Sequence, residues 1–152
     1  SDMLRIFLCL AAAAAASEAC SCLEQTTQQA YCGADRDQEL IAVSRVKINS
    51  QVEGKVIKNN FNNIRYAVNH TEVFKKPSAL SYMPSIIYGS SVCRLEIANG
   101  KEYLLAGGFH EGRLTMSLCG QVRPPVENVW GPILEWRQVP VEFPATMRAF
   151  KC

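Results

Sequence analysis

This chain has no strong charge of either sign. Its 16 Lys and Arg stand against 14 Asp and Glu, a formal net charge of +2 over 152 residues. No basic cluster interleaves with aromatic residues, so no nucleic-acid surface is indicated. Histidine is scarce: the only two, His70 and His110, lie far apart and form no H-E-x-x-H arrangement, which argues against a metalloenzyme. There is no Cys-x-x-Cys pair and the late cysteines are isolated, so structural zinc is a poor reading of the thiols. No Ser-His-Asp set and no phosphate-binding loop is visible, and no cofactor is expected. Nothing here points to an enzyme. Beyond Ala16 there is no internal repeat, no long low-complexity segment and no second apolar run, so membrane insertion is not expected.

What the chain does have begins at its N-terminus. Met3 to Ala19 reads as a secretory signal, preceded by a Ser1-Asp2 scar. Arg5 carries the positive charge, and Ile6 to Leu10 with Ala11 to Ala16 forms an apolar stretch too short to span a bilayer. Ser17 and Ala19 are the small residues at positions minus three and minus one of a cut before Cys20. An Ala-rich opening helix of the folded domain is the alternative. Cleavage leaves residues 20–152, 133 in all, which suits one compact domain. Its 15 Lys and Arg against 12 Asp and Glu give a net +3, enough for weak contact with acidic glycans. The expected location is extracellular. Cys20 would then carry a free α-amino group, which chelates a metal together with the neighbouring carbonyl.

Seven cysteines become six once Cys9 leaves with the signal. An even number in a secreted chain implies a disulfide framework. Three sit early (Cys20, Cys22, Cys32) and three late (Cys93, Cys119, Cys152), and spacing alone leaves 15 pairings open. Early-to-late bridges would close long loops, each contributing about 4–5 kcal/mol in the chain-entropy model.

Along the chain, Glu24 to Tyr31 reads as a short helix ending near Cys32-Gly33. Leu40, Ala42, Val46 and Ile48 share one parity within Gln38 to Ile48, with Ser44 the exception, which predicts a half-buried strand. Asn49 to Asn63 reads as an exposed hairpin tip. Ile64, Tyr66 and Val68 make a second strand, whose outward parity carries the N-glycosylation sequon Asn69-His70-Thr71. Lys75 to Met83 is a loop and Ser85 to Tyr88 a short strand. Cys93 to Ala98, Asn99-Gly100 and Glu102 to Ala106 read as a hairpin, with a bulge or bend at Gly107-Gly108. Leu114, Met116 and Leu118 alternate up to Cys119. Val126 to Trp136 reads as one or two short helical pieces broken near Gly131-Pro132, with Trp130 and Trp136 on their core faces. Five or so strands with regular turns favour a small closed antiparallel barrel of OB type with helices packed outside, a β-sandwich being the alternative.

The cysteine pattern and its flanks resemble the inhibitory N-terminal domain of the tissue inhibitors of metalloproteinases, a netrin-like module. That family opens its mature chain with Cys-x-Cys, nine residues and a third Cys, as Cys20-Ser21-Cys22 and Cys32 do here. Gln28, Ala30 and Tyr31 resemble its segment before the third cysteine. Ser91-Val92-Cys93 matches its Ser-Val-Cys element, and Glu102 to Gly107 with Gly112, Leu114 and Cys119 resembles its strand pair. The resemblance covers nearly all of Cys20 to Cys152. It implies the bridges Cys20–Cys93, Cys22–Cys119 and Cys32–Cys152, an OB-like five-stranded barrel with short flanking helices, and a single-domain form without the second six-cysteine domain of vertebrate members.

It also implies a chemistry. The α-amino nitrogen and carbonyl oxygen of Cys20 would bind the catalytic zinc of an extracellular metalloproteinase and displace its water. Zinc enters only as part of that target. Ser21 would enter the primed-side pocket. Cys22 and Leu23 would continue the contact, and Ser91, Val92 and Cys93 would form a second strip beside it. Where the family has Val-Pro after Cys-x-Cys, this chain has Leu23-Glu24. The rival reading is a non-inhibitory netrin-like signalling or immunomodulatory module that binds a receptor or glycan through another surface. Lys47, Lys55, Lys58 and Arg65 are its candidates for heparan-type glycans, although such charges also serve as a solvated edge.

Overall fold

A computed structural model describes residues 20–34, 37–57 and 62–152. The signal segment, the cut before Cys20 and Lys58 lie outside the described residues. Two long strands dominate: β1 (Ile41–Glu53) and β2 (Ile64–Lys75) pair antiparallel over most of their length. β3 (Ile86–Gly89) continues from β2, β4 (Glu102–His110) returns along β1, and β5 (Arg113–Thr115) joins β3 to β4. The order β1-β2-β3-β5-β4, with β4 back on β1, closes a five-stranded barrel. Its pairings are antiparallel except β3–β5, which is parallel. The short β6 (Leu134–Glu135) adds to the outer edge of β4.

The alternation within β1 and β4 explains where the core lies. Ala42, Val46, Ile48, Tyr103 and Leu105 point into the barrel, where they meet Ile64, Tyr66, Val68, Ile87, Leu114 and Met116. The opposite parity is buried as well: Ile41, Val43, Leu104 and Ala106 pack outward against helix α1 (Thr27–Cys32) and helix α2 (Phe143–Ala149). These strands are therefore apolar on both faces at one end and polar on one face at the other. Ser44 is buried because its hydroxyl meets His70 Nδ1 at 2.8 Å. His70 Nε2 lies 2.8 Å from the Pro84 carbonyl. A carbonyl only accepts, so Nε2 carries the proton and Nδ1 accepts from Ser44. Desolvation lowers the His70 pKa, partly offset by the Pro84 contact.

Several local expectations are revised. Cys93 to Ala98 forms no strand, and β4 pairs with β1 instead. The backbone N–H of Ala98 is satisfied by the Tyr103 hydroxyl (2.8 Å) rather than by a ladder. Asn99-Gly100 is a turn, held to the middle of β1 by Gly100 N–H donating to Ile48 O at 2.7 Å. β4 runs straight through Gly107-Gly108. A Cβ at Gly107 would sit 2.5 Å from the Thr115 carbonyl oxygen, so glycine there permits close approach of β5. The alternation at Leu114, Met116 and Leu118 outlasts the strand, because β5 ends at Thr115. No helix forms over Val126 to Glu135, where Gly131 at φ 108° and Pro132 break the chain, and only a short 3-10 turn (Trp136–Gln138) begins at Trp136. The helix comes later, at α2, with Pro144 in its first turn, where the missing N–H costs nothing. Trp130 is 91% exposed and is not a core residue. Trp136 is half-buried, stacked on Phe74 at 5.9 Å with the Arg45 guanidinium 4.8 Å above its ring.

Candidate functional site

Three bridges organise the N-terminal edge. Cys20–Cys93, Cys22–Cys119 and Cys32–Cys152 close 73, 97 and 120 residues of chain. The first two fasten residues 20–22 across the mouth of the barrel with Cα–Cα distances of 5.4 Å each. Thr26 then caps α1 with a reciprocal Thr26–Gln29 box, and Gly33 ends it in the left-handed region at φ 67°. Thr27 Oγ1 donates to Arg123 O at 2.8 Å, and Gln28 Nε2 donates to Lys151 O at 3.0 Å. The N-terminal segment is thus held at both ends and along its helix.

What remains outward is a ridge. Ser21, Cys22, Leu23 and Glu24 are exposed, Leu23 to 87%, while Cys20 is half-buried. Beside it, Val92 is 51% exposed and Ser91 half-buried. Cys93 holds φ 56°, a left-handed conformation uncommon for a residue with a side chain. A cavity of about 110 Å³ lies beneath, walled by Cys20, Tyr66, Val92, Leu95, Met116 and Leu118. Burial raises the Tyr66 phenol above its ordinary range, with the Arg94 guanidinium pulling the other way, so this wall is neutral. Arg94 itself is paired at the surface with Glu53 (2.9 Å) and Gln51 (3.0 Å). A family model described as "Tissue inhibitor of metalloproteinase" matches residues 18–129.

The chain belongs to the tissue inhibitor of metalloproteinase family. A Caenorhabditis elegans protein named "Putative metalloproteinase inhibitor tag-225" is 39% identical over 140 residues, which is 88% of either chain. "Metalloproteinase inhibitor 2" of Homo sapiens and of Rattus norvegicus is 32% identical over 113 residues, 71% of this chain and 50% of theirs. The chain spans about half the length of these mammalian relatives. As a member of an inhibitor family it is not an enzyme.

Within this family member, one bridge sets Cys20 against Cys93, with Ser91 and Val92 just before it. The other sets Cys22 against Cys119, whose Sγ lies 3.9 Å from the Ser21 carbonyl oxygen, and Leu23 follows in the chain beyond this second bridge. Asn69 is exposed well along β2, away from the ridge. Lys47, Lys55 and Arg65 are exposed. Lys47 pairs with Asn69 and Val52 with Arg65, so Lys47 and Arg65 stand five positions apart in the ladder, roughly 17 Å, and form no cluster with each other. Among the described residues no group of three or more His, Cys, Asp or Glu is placed to hold a metal ion. No helix among them is long and apolar enough to cross a membrane.

One residue escaped the sequence reading. Asn63, assigned above to a hairpin tip, accepts the Ser91 N–H on Oδ1 at 2.9 Å. Its Nδ2 donates to Gly54 O at 3.1 Å, and its own carbonyl takes the Gly54 N–H at 2.7 Å. It ties the β1–β2 hairpin to the second strip of the ridge. Ser90 finishes the turn, its Oγ accepting the Val92 N–H at 3.0 Å. Asn63 carries a turn-like signal in the sequence, but a partner 28 residues away leaves no local trace.

Proposed function

We propose that this chain is a secreted inhibitor of zinc metalloproteinases whose mature form begins at Cys20. The α-amino nitrogen and the carbonyl oxygen of Cys20 form a chelate on the protease zinc and take the place of its attacking water. The amine ligates only when neutral. An α-amino group titrates near 7.7–8.0, so roughly a tenth to a sixth of it is neutral at pH 7, and zinc binding draws on that fraction with release of a proton from the rest. Ser21 enters the primed-side pocket, and its small polar side chain makes for broad rather than deep-pocket selectivity. Leu23 and Val92 supply apolar contact on either side.

The observation that carries this reading is the tethering of residues 20–22 to 93 and 119 as an exposed ridge. A segment fixed by two bridges loses little further freedom on binding, which lowers the ordering cost of association. The matching family model and the metalloproteinase inhibitor names of the relatives support it. Glu24 is exposed next to the ridge, so affinity should depend on the charge of the facing protease rim and on ionic strength.

The test is one added residue. Protein starting at Cys20 and protein carrying a single Ala before it are compared against several matrix metalloproteinases. The extension turns the amine into an amide, which no longer donates to zinc. A metal contact contributes several kcal/mol, so inhibition should weaken by roughly 1,000-fold, at 1.4 kcal/mol per tenfold. Equal potency of the two forms, or no inhibition by either at micromolar concentration, would overturn the reading.

A further inference from the structure

The β1–β2 pair outruns its neighbour. β2 pairs with β1 out to Lys75 but with β3 only over Ile64–Ala67, the last bond on that side running from Val68 N–H to Ser85 O at 2.8 Å. Beyond Val68 the strand faces an open groove of about 820 Å³, bounded on the far side by the loop that includes Ser81, Tyr82 and Met83. The groove is open to solvent and partly apolar. Val73 is 41% and Tyr82 77% exposed along it. Exposed edges of this kind template strand pairing with other chains unless they are charged, bulged or covered. Asn69, first residue of the sequon Asn69-His70-Thr71, stands at this edge with its side chain exposed, on the parity opposite to Ile64, Tyr66 and Val68.

We propose that Asn69 carries an N-linked glycan whose first sugars lie in this groove against Tyr82 and Val73. The amide side chain is in solvent, so the linkage displaces no packed group. The sugar rings have apolar faces suited to an exposed tyrosine and polar rims suited to a groove open to solvent, and a covered groove removes the open side of β2 from contact with other chains. Thr71, third residue of the sequon, bonds through Oγ1 to Arg45 O at 3.3 Å in the folded chain. The sequon is therefore freest before β1 and β2 pair, so transfer belongs to the emerging chain. Asn69 lies five residues along β2 from Ile64, the residue next to Asn63 and the ridge, roughly 17 Å. A glycan there leaves the ridge open. The proposal rests on the reading that the chain passes through the secretory pathway.

Two full-length forms are expressed in insect cells, one with its own N-terminus and one fused behind an unrelated secretory leader. The intact mass of each product is measured before and after peptide N-glycosidase. We expect a mass excess that the enzyme removes, converting Asn69 to Asp, and that is missing from Asn69→Gln. Export of the leader-fused form alone would count against the chain's own signal and leave the glycan result readable. A secreted product without the mass excess overturns the proposal. Hydroxyl-radical footprinting then compares Tyr82 in glycosylated and enzyme-treated protein. Protection in the glycosylated form supports placement in the groove, and equal reactivity refutes it.

Discussion

Asn63→Ala isolates the part of the site that only tertiary structure reveals. Two bonds are lost, one to the Ser91 N–H at 2.9 Å and one to the Gly54 carbonyl at 3.1 Å. A neutral hydrogen bond contributes about 0.5–1.5 kcal/mol net, and a freed group that reaches water loses less than a buried one. Ser91 is half-buried and Gly54 exposed, so the combined loss should be about 1–2 kcal/mol. In urea this moves the midpoint down by on the order of 0.5–1 M. The second consequence falls on binding. With the Ser91 tether cut, the Ser91-Val92 strip is ordered only on contact with a protease, at about 0.5–1.5 kcal/mol per immobilised side chain. The inhibition constant should therefore rise roughly 2- to 12-fold, at 1.4 kcal/mol per tenfold. Asn63→Asp keeps the acceptor for Ser91 and loses the donor for Gly54, so it should restore inhibition more fully than stability. Urea denaturation and inhibition assays on the three proteins separate the effects. An unchanged inhibition constant in Asn63→Ala, with a lowered midpoint, would refute the positioning role and leave Asn63 a fold residue.

Gly107→Ala drives a Cβ to 2.5 Å from the Thr115 backbone oxygen. Overpacking of this kind costs about 1–3 kcal/mol and should lower Tm by about 3–10 °C. Gly108→Ala meets only the flexible His110 ring and should cost less, so equal losses in thermal melts would contradict the close-approach argument. The lowered pKa of His70 sets a pH dependence. Unfolded histidine takes up its proton near pH 6.5 and folded His70 only below that. Stability is thus full above about pH 6.5 and falls as pH drops toward the folded value. His70→Gln removes the titrating group, so the difference from the parent should change between pH 7.5 and 5.5 in denaturant titrations, and a constant difference refutes the assignment. Cys32→Ser with Cys152→Ser opens the 120-residue loop and should cost about 2–5 kcal/mol. Inhibition by the folded fraction should survive, because the ridge is held by the other two bridges. Loss of inhibition in protein shown to be folded would show that Cys32–Cys152 also shapes the ridge.

Most of the barrel was legible because its signals are local. Val46 and Ile48 on one strand, and Ile64, Tyr66 and Val68 on another, alternate at period two, and all five are buried inside the barrel. The end of α1 at Cys32-Gly33 was legible, whereas its start, expected at Glu24, lies at Thr27, where the Thr26–Gln29 box caps it. Local reasoning failed where a segment's partner was remote. Cys93 to Ala98 has strand-like alternation, but the Tyr103 hydroxyl takes the Ala98 N–H, the Gln51 amide donates to the Ile97 carbonyl, and the bridge to Cys20 ties down Cys93. Trp130 has the composition of a core residue, but the break at Gly131-Pro132 leaves it in solvent.

The sequence by itself narrowed the fold to a barrel or a sandwich and, through the Cys-x-Cys spacing and the Ser91-Val92-Cys93 element, pointed to the family, because alternation and such elements are properties of short stretches of chain. The tertiary structure decided how those stretches are held: which strand β4 pairs with, the Asn63 tether, and the open side of β2 beyond Val68, beside Asn69. Each of these depends on contacts between residues tens of positions apart. Such contacts are selected by closure of the whole barrel, and no local propensity encodes them.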